Sequence, residues 1–97
     1  MTRAEALRRL RTHRADLHAM GIEHVAIFGS TAREEAGARS DLDLVVKLRS
    51  DVRLGWDFFT LDDRVGALLG VRVDIVTEPT DRPRLQAEID RDRVDAF

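Results

Sequence analysis

Apolar positions recur along the chain with two different periods, and the switches between them mark out the elements. Over residues 2–20, Leu7, Leu10, Leu17 and Met20 fall at helical spacing. Thr2 and Glu5 fit a capping box, in which each side chain satisfies a backbone donor of the other, and Gly21 makes a natural stop. The run "HVAIF", residues 24–28, is short and continuously apolar, which predicts a buried strand. Gly29 and Ser30 break it, and "STAREEAGA" follows as a short helix or helical turn with Gly37 near its end. A second strand is predicted over residues 41–48, "DLDLVVKL", from its alternation and β-branched content. Residues 56–69 return to the helical period, with Trp56, Phe59, Val65, Leu68 and Leu69 on one face and Gly70 as the stop. A third strand covers residues 71–77, "VRVDIVT", and Pro83 opens a last helix that runs toward Val94. The order is α-β-α-β-α-β-α, without internal repeat, low-complexity tract or linker.

Composition narrows the class. A chain of 97 residues, 43% hydrophobic and 35% charged, is expected to form one globular domain over 1–97 with a small core. The net charge of -2 does not ask for a nucleic-acid partner. Without cysteine there is neither a disulfide nor a thiolate metal site. The N-terminus has no apolar signal core and no segment reaches the roughly 20 apolar residues of a membrane span, so the expected location is the cytoplasm.

The chemistry lies in "FGSTAREEAGARSDLDLVV", residues 28–46. Alternation puts Asp41 and Asp43 on one face of the second strand, roughly 6.5 Å apart, with Leu42 and Leu44 turned into the core. Two carboxylates that close raise each other's pKa unless a cation lies between them. The third strand repeats the pattern, with Asp74 between the core-facing Val73 and Ile75. If the two strands are neighbours, the three acids form a hard, oxygen-only set. Such a set suits Mg²⁺, held by carboxylates together with substrate phosphates. Two ions about 3.5–4 Å apart could clamp the attacking and leaving oxygens of a phosphoryl-type displacement. Gly29 lets the backbone approach a ligand closely, and Ser30 opens a helical turn whose free N–H groups favour phosphate.

Other patterns fall away. An EF-hand needs oxygen ligands where the chain has Leu44, Val45 and Val46, and a P-loop needs a lysine that does not follow the glycine. His13, His18 and His24 show no metal-ligand spacing with the acids, and Trp56, Phe58 and Phe59 are core residues rather than a stacking platform. The segment "DRPRLQAEIDRDR" is a solvated helix face. Gly-Ser, ten residues, then Asp-x-Asp arises by chance in roughly one chain in a thousand of this length.

With these residues in place, the sequence resembles the minimal nucleotidyltransferase (MNT) domains of the DNA polymerase β superfamily. Their signature is matched by Gly29, Ser30, Ala32, Arg33, Ser40, Asp41, Asp43, Leu44 and, on the later strand, Asp74, and the resemblance runs from the first helix to the last. One position departs: many relatives carry glycine directly after the Ala-Arg, and this chain has Glu34. The resemblance implies an α+β fold with a short mixed sheet and helices packed mainly on one face. It implies that Asp41 and Asp43 bind both Mg²⁺ ions, that Asp74 ligates one and helps deprotonate the attacking hydroxyl, and that Gly29 and Ser30 hold the β- and γ-phosphates of ATP. Arg33 then either contacts phosphate or pairs with Glu34 or Glu35, and Ser40 either orients Asp41 or caps the preceding turn. A catalytic core of this size is expected to borrow its acceptor site. The resemblance points to a partner HEPN-domain toxin, with AMP transferred from ATP to a tyrosine on it and this chain as the antitoxin. The other readings are an antitoxin that acts by contact alone and a stand-alone transferase for a small molecule.

Overall fold

Two apolar runs make the centre of the sheet. In the computed structural model, which describes residues 1–37, 41–51 and 60–97, β1 (Ile22–Phe28) and β2 (Leu42–Leu48) pair antiparallel with Phe28 opposite Asp43. The third strand, β3 (Val73–Thr77), lies parallel to β2, and a two-residue β4 (Val94–Asp95) closes the other side against β1. The order across this mixed sheet is β3-β2-β1-β4. The last pairing was not legible from the chain, because two residues are too short to show a period. It is the neighbouring β1 that makes Val94 and Asp95 a strand.

The predicted first helix is two, α1 (Arg3–Thr12) and α2 (Arg14–Ala19), joined through His13. The joint is a kink in a continuing path, since the Leu17 N–H still donates to the His13 carbonyl at 2.9 Å. Thr2 caps α1 by accepting from the Glu5 N–H at 3.1 Å, while the Glu5 carboxylate is taken by Arg9 at 2.7 Å. Helix α3 (Gly29–Ala32) is a single turn. Helix α4 (Leu61–Leu69) ends at Gly70, whose φ of 75° lets its N–H and that of Val71 return to the Gly66 carbonyl. Residues 52–59, with Trp56, Phe58 and Phe59, lie outside the described residues. Helix α5 (Pro83–Asp92) has proline in its first turn and stops short of Val94.

Alternation sorts the side chains onto two faces. On one, Val25, Ile27, Leu42, Leu44 and Val46 pack against Ala6 and Leu10 of α1, Leu17 of α2, and Leu61, Val65 and Leu69 of α4. Each large aliphatic buried there contributes about 1.5–3 kcal/mol. On the other, Ala26, Phe28 and Val45 meet Ile89 of α5, with Val76 and Leu85 alongside. Helices therefore crowd one face, and α5 covers only part of the second. Among the described residues no helix is long and apolar enough to cross a membrane.

Candidate active site

The half-covered face is where the acids stand. Leu42 and Leu44 are buried in the main core, so pleating turns Asp43 to the opposite side. Register then does what local pattern cannot: Asp43 sits between Phe28 of β1 and Asp74 of β3. Neighbouring strands lie about 4.8 Å apart, so Asp43 and Asp74 are abreast. Together with Glu88 of α5 they line an open cleft of about 820 Å³, whose apolar lining includes Phe28, Val76 and Leu85. Burial pushes the Asp43 carboxyl up from 3.8 to about 6, and the charges of Asp74, Glu88 and Asp41 add to the rise, while Arg33 opposes it.

Gly29 follows Phe28 at the head of α3 and is required twice. Its φ is 71°, which side-chain-bearing residues rarely adopt, and a Cβ there would overlap Oδ2 of Asp43 and lie 3.2 Å from its Cγ. The glycine thus brings the turn against the carboxylate. The first N–H groups of a helical turn have no partner within it, and this turn begins with Gly29 and the half-buried Ser30.

Asp41 is placed differently from expectation. It precedes β2 rather than belonging to it, is exposed, and lines a neighbouring depression of about 590 Å³ with Asp62, Asp63 and Arg72. Burial, and less strongly the charge of Asp74, also pushes the Asp62 carboxyl up. Among the described residues, no three His, Cys, Asp or Glu side chains converge as a ready-made metal group. Asp43 and Asp74 nonetheless fit a hard divalent cation: both offer oxygen, they stand abreast, and their mutual repulsion is what a cation relieves.

Arg33 makes ion pairs, with the expected Glu35 and with Asp92. Its Nε donates to Glu35 Oε2 at 3.1 Å, and its Nη1 donates to Asp92 Oδ2 at 2.6 Å. Ser40 lies outside the described residues. Glu34, the departure from the motif, has a φ of 60°. The backbone there adopts the left-handed conformation that glycine favours. Sequence reading missed Glu88 and Asp92. Both sit beside the apolar stripe Leu85–Ile89 of α5, spaced four apart, so a helix assigned two faces would have exposed them.

Comparison with known proteins identifies the family. The nucleotidyltransferase domain family matches residues 7–95. Protein adenylyltransferase MntA of Thermococcus cleftensis is 37% identical over 68 residues, covering 69% of this chain and 68% of that protein. A chain of Methanocaldococcus jannaschii assigned to the protein adenylyltransferases is 34% identical over 75% of this chain and 74% of its own length. A solved structure assigned as a minimal nucleotidyltransferase superposes with a TM-score of 0.76 at 36% identity, covering 97% of this chain and 95% of that one. The fold also matches, at 15% identity and a TM-score of 0.67, the complex of a tri-AMPylated Shewanella oneidensis HEPN toxin with its MNT antitoxin; 94% of this chain and 71% of that one are covered.

Proposed function

This chain belongs to the nucleotidyltransferase domain family, and from that premise we propose that it is an Mg²⁺-dependent protein adenylyltransferase that moves AMP from ATP to a tyrosine of a partner HEPN-type toxin and so serves as the antitoxin. The observation that carries the reading is the row Gly29, Asp43, Asp74 across three neighbouring elements, with the phosphate turn at one end and the open cleft at the other. The partner is inferred from the complexes that share the fold, and AMP as the transferred group from the AMPylated toxin among them; the tyrosine acceptor rests on the resemblance to the minimal nucleotidyltransferases.

In the proposed reaction, backbone N–H groups of the Gly29–Ser30 turn and the Ser30 hydroxyl hold the β- and γ-phosphates. Two Mg²⁺ ions would be held by Asp43, Asp74 and the phosphates, with Asp41, whose charge already reaches Asp43, completing the set, and would supply charge neutralisation at the phosphoryl oxygens. Asp74 accepts the proton of the tyrosine hydroxyl. The tyrosine oxygen bonds to the α-phosphorus as the bond to the β-phosphate oxygen breaks, and pyrophosphate leaves with the electron pair. The docked partner supplies proximity by presenting the hydroxyl in line. The phosphodiester it gains adds negative charge and bulk on the toxin.

The test is to incubate the chain with a HEPN-domain protein from the same genome, ATP and Mg²⁺, and to weigh that protein by intact mass spectrometry. A gain of one or more AMP units that vanishes with Asp43→Asn supports the reading. An unmodified partner whose toxicity is still relieved, by wild type and Asp43→Asn alike, leaves contact alone as the mechanism.

A further inference from the structure

We propose that Asp92 is a positioning residue for nucleotide binding: through its ion pair with Arg33 it holds the Gly29–Ala32 turn against the C-terminal end of α5. The proposal rests on the nucleotidyltransferase reading above and adds a residue outside the motif. Asp92 is one of only two polar residues buried among the described residues, and its side chain is 4% exposed. A carboxylate so enclosed must be paired. Arg91 Nε meets its Oδ1 at 3.0 Å and Arg91 Nη2 its Oδ2 at 3.2 Å, but Arg91 is the preceding residue on the same helix and ties Asp92 to nothing distant. Arg33 is the long-range partner, 59 positions away in sequence, with Nη1 at 2.6 Å from Oδ2.

The far end of that bond is the phosphate turn. The Arg33 N–H donates to the Gly29 carbonyl at 3.1 Å, so Arg33 closes by its backbone the same turn that it anchors by its side chain. A four-residue helix cannot hold its own shape, because helices shorter than about 12–15 residues are marginal without outside support. Here the support comes from two sides: Arg3 Nη1 donates to the Ala32 carbonyl at 3.2 Å, and Asp92 holds Arg33. Gly29 in turn packs its Cα against the Asp43 carboxylate. A shift of the turn by about 1 Å would misplace phosphates relative to the carboxylates, a displacement that can cost on the order of 100-fold in rate.

The experiment measures binding of the ATP analogue AMP-PNP with Mg²⁺ by calorimetry, and the KM and kcat of AMP transfer, well below the melting temperature. Asp92→Asn is expected to weaken AMP-PNP binding about 10-fold or more and to raise KM more than it lowers kcat. Asp92→Glu should recover most of the loss. Arg33→Met should reproduce it, and the double variant should cost no more than either alone, as expected for one shared interaction. A variant Asp92→Asn that melts earlier yet keeps wild-type affinity and KM overturns the proposal, since the carboxylate then serves stability only. Should that variant not fold, unchanged affinity in Arg33→Met overturns it instead. Variants that bind AMP-PNP as tightly as the wild type remove this inference alone, whereas a wild type that binds no nucleotide removes the nucleotidyltransferase reading with it.

Discussion

Asp43 carries the electrostatic strain of the site at the scale of single residues. Its carboxyl is raised from 3.8 to about 6, first by burial and then by Asp74, Glu88 and Asp41. The folded state therefore binds the proton more tightly than the unfolded chain. Its contribution is fully favourable below about pH 4, is lost as pH rises through about 6, and above that is a penalty. The rise caps that penalty near ~3 kcal/mol, and solvent screening of a half-buried group brings it to about 1–2 kcal/mol. Asp43→Asn should thus be more stable than wild type by that amount at pH 7, with the gap closing toward pH 4. Urea melts of both proteins across this range check it. A gap that does not change with pH would show that the carboxylate charge is not the cause. That an aspartate stands here was legible from its position between Leu42 and Leu44. That like charges raise its pKa was legible too; that burial is the first cause, and that Glu88 adds to it from 45 positions away, was not.

The informative element is the exit from α3. Glu34 sits at φ 60° where a side chain costs about 1–2 kcal/mol, so the turn keeps a glycine geometry without a glycine. Its ion pair with Arg3 is long, at 3.8 Å, and exposed on both sides, so it offsets little. Replacing Glu34 with glycine removes the strain but gives the unfolded chain more freedom. The net expectation is a gain of about 0.5–1 kcal/mol, read as a raised midpoint in thermal denaturation. Glu34→Val should move it the other way, since a β-branched residue tolerates this region least. A lowered midpoint for the glycine variant would mean that Glu34 earns its place through contacts.

Across the whole molecule, α5 is attached to the half-covered face by few side chains. Ile89, fully buried, packs with Ala26, Phe28 and Val45, while Arg93 reaches Glu78 through paired contacts at 2.8 and 3.0 Å. Ile89→Ala should cost about 2–4 kcal/mol, the range for a buried aliphatic truncated to alanine. Because α5 also carries Glu88 and Asp92, that loss should fall on the cleft as well as on stability. Nucleotide-induced stabilisation, measured as the shift in melting temperature with AMP-PNP and Mg²⁺, should shrink in the variant. An undiminished shift would separate the helix from the site.

What the sequence by itself determined is local. Period-two and helical spacing are written in neighbouring side chains, so the first three strands, the caps at Thr2 and Gly70, the Pro83 helix start, and the face on which Asp43 and Asp74 lie could all be read from it. Tertiary structure alone decided which elements meet. The order β3-β2-β1-β4 puts Asp43 abreast of Asp74, leaves Asp41 ahead of its strand, makes a strand of Val94 and Asp95, and brings Asp92 to Arg33. The physical reason is that periodicity reports which face of an element is buried, whereas register and partner are chosen by the packing of residues far apart in the chain, where no local pattern records them.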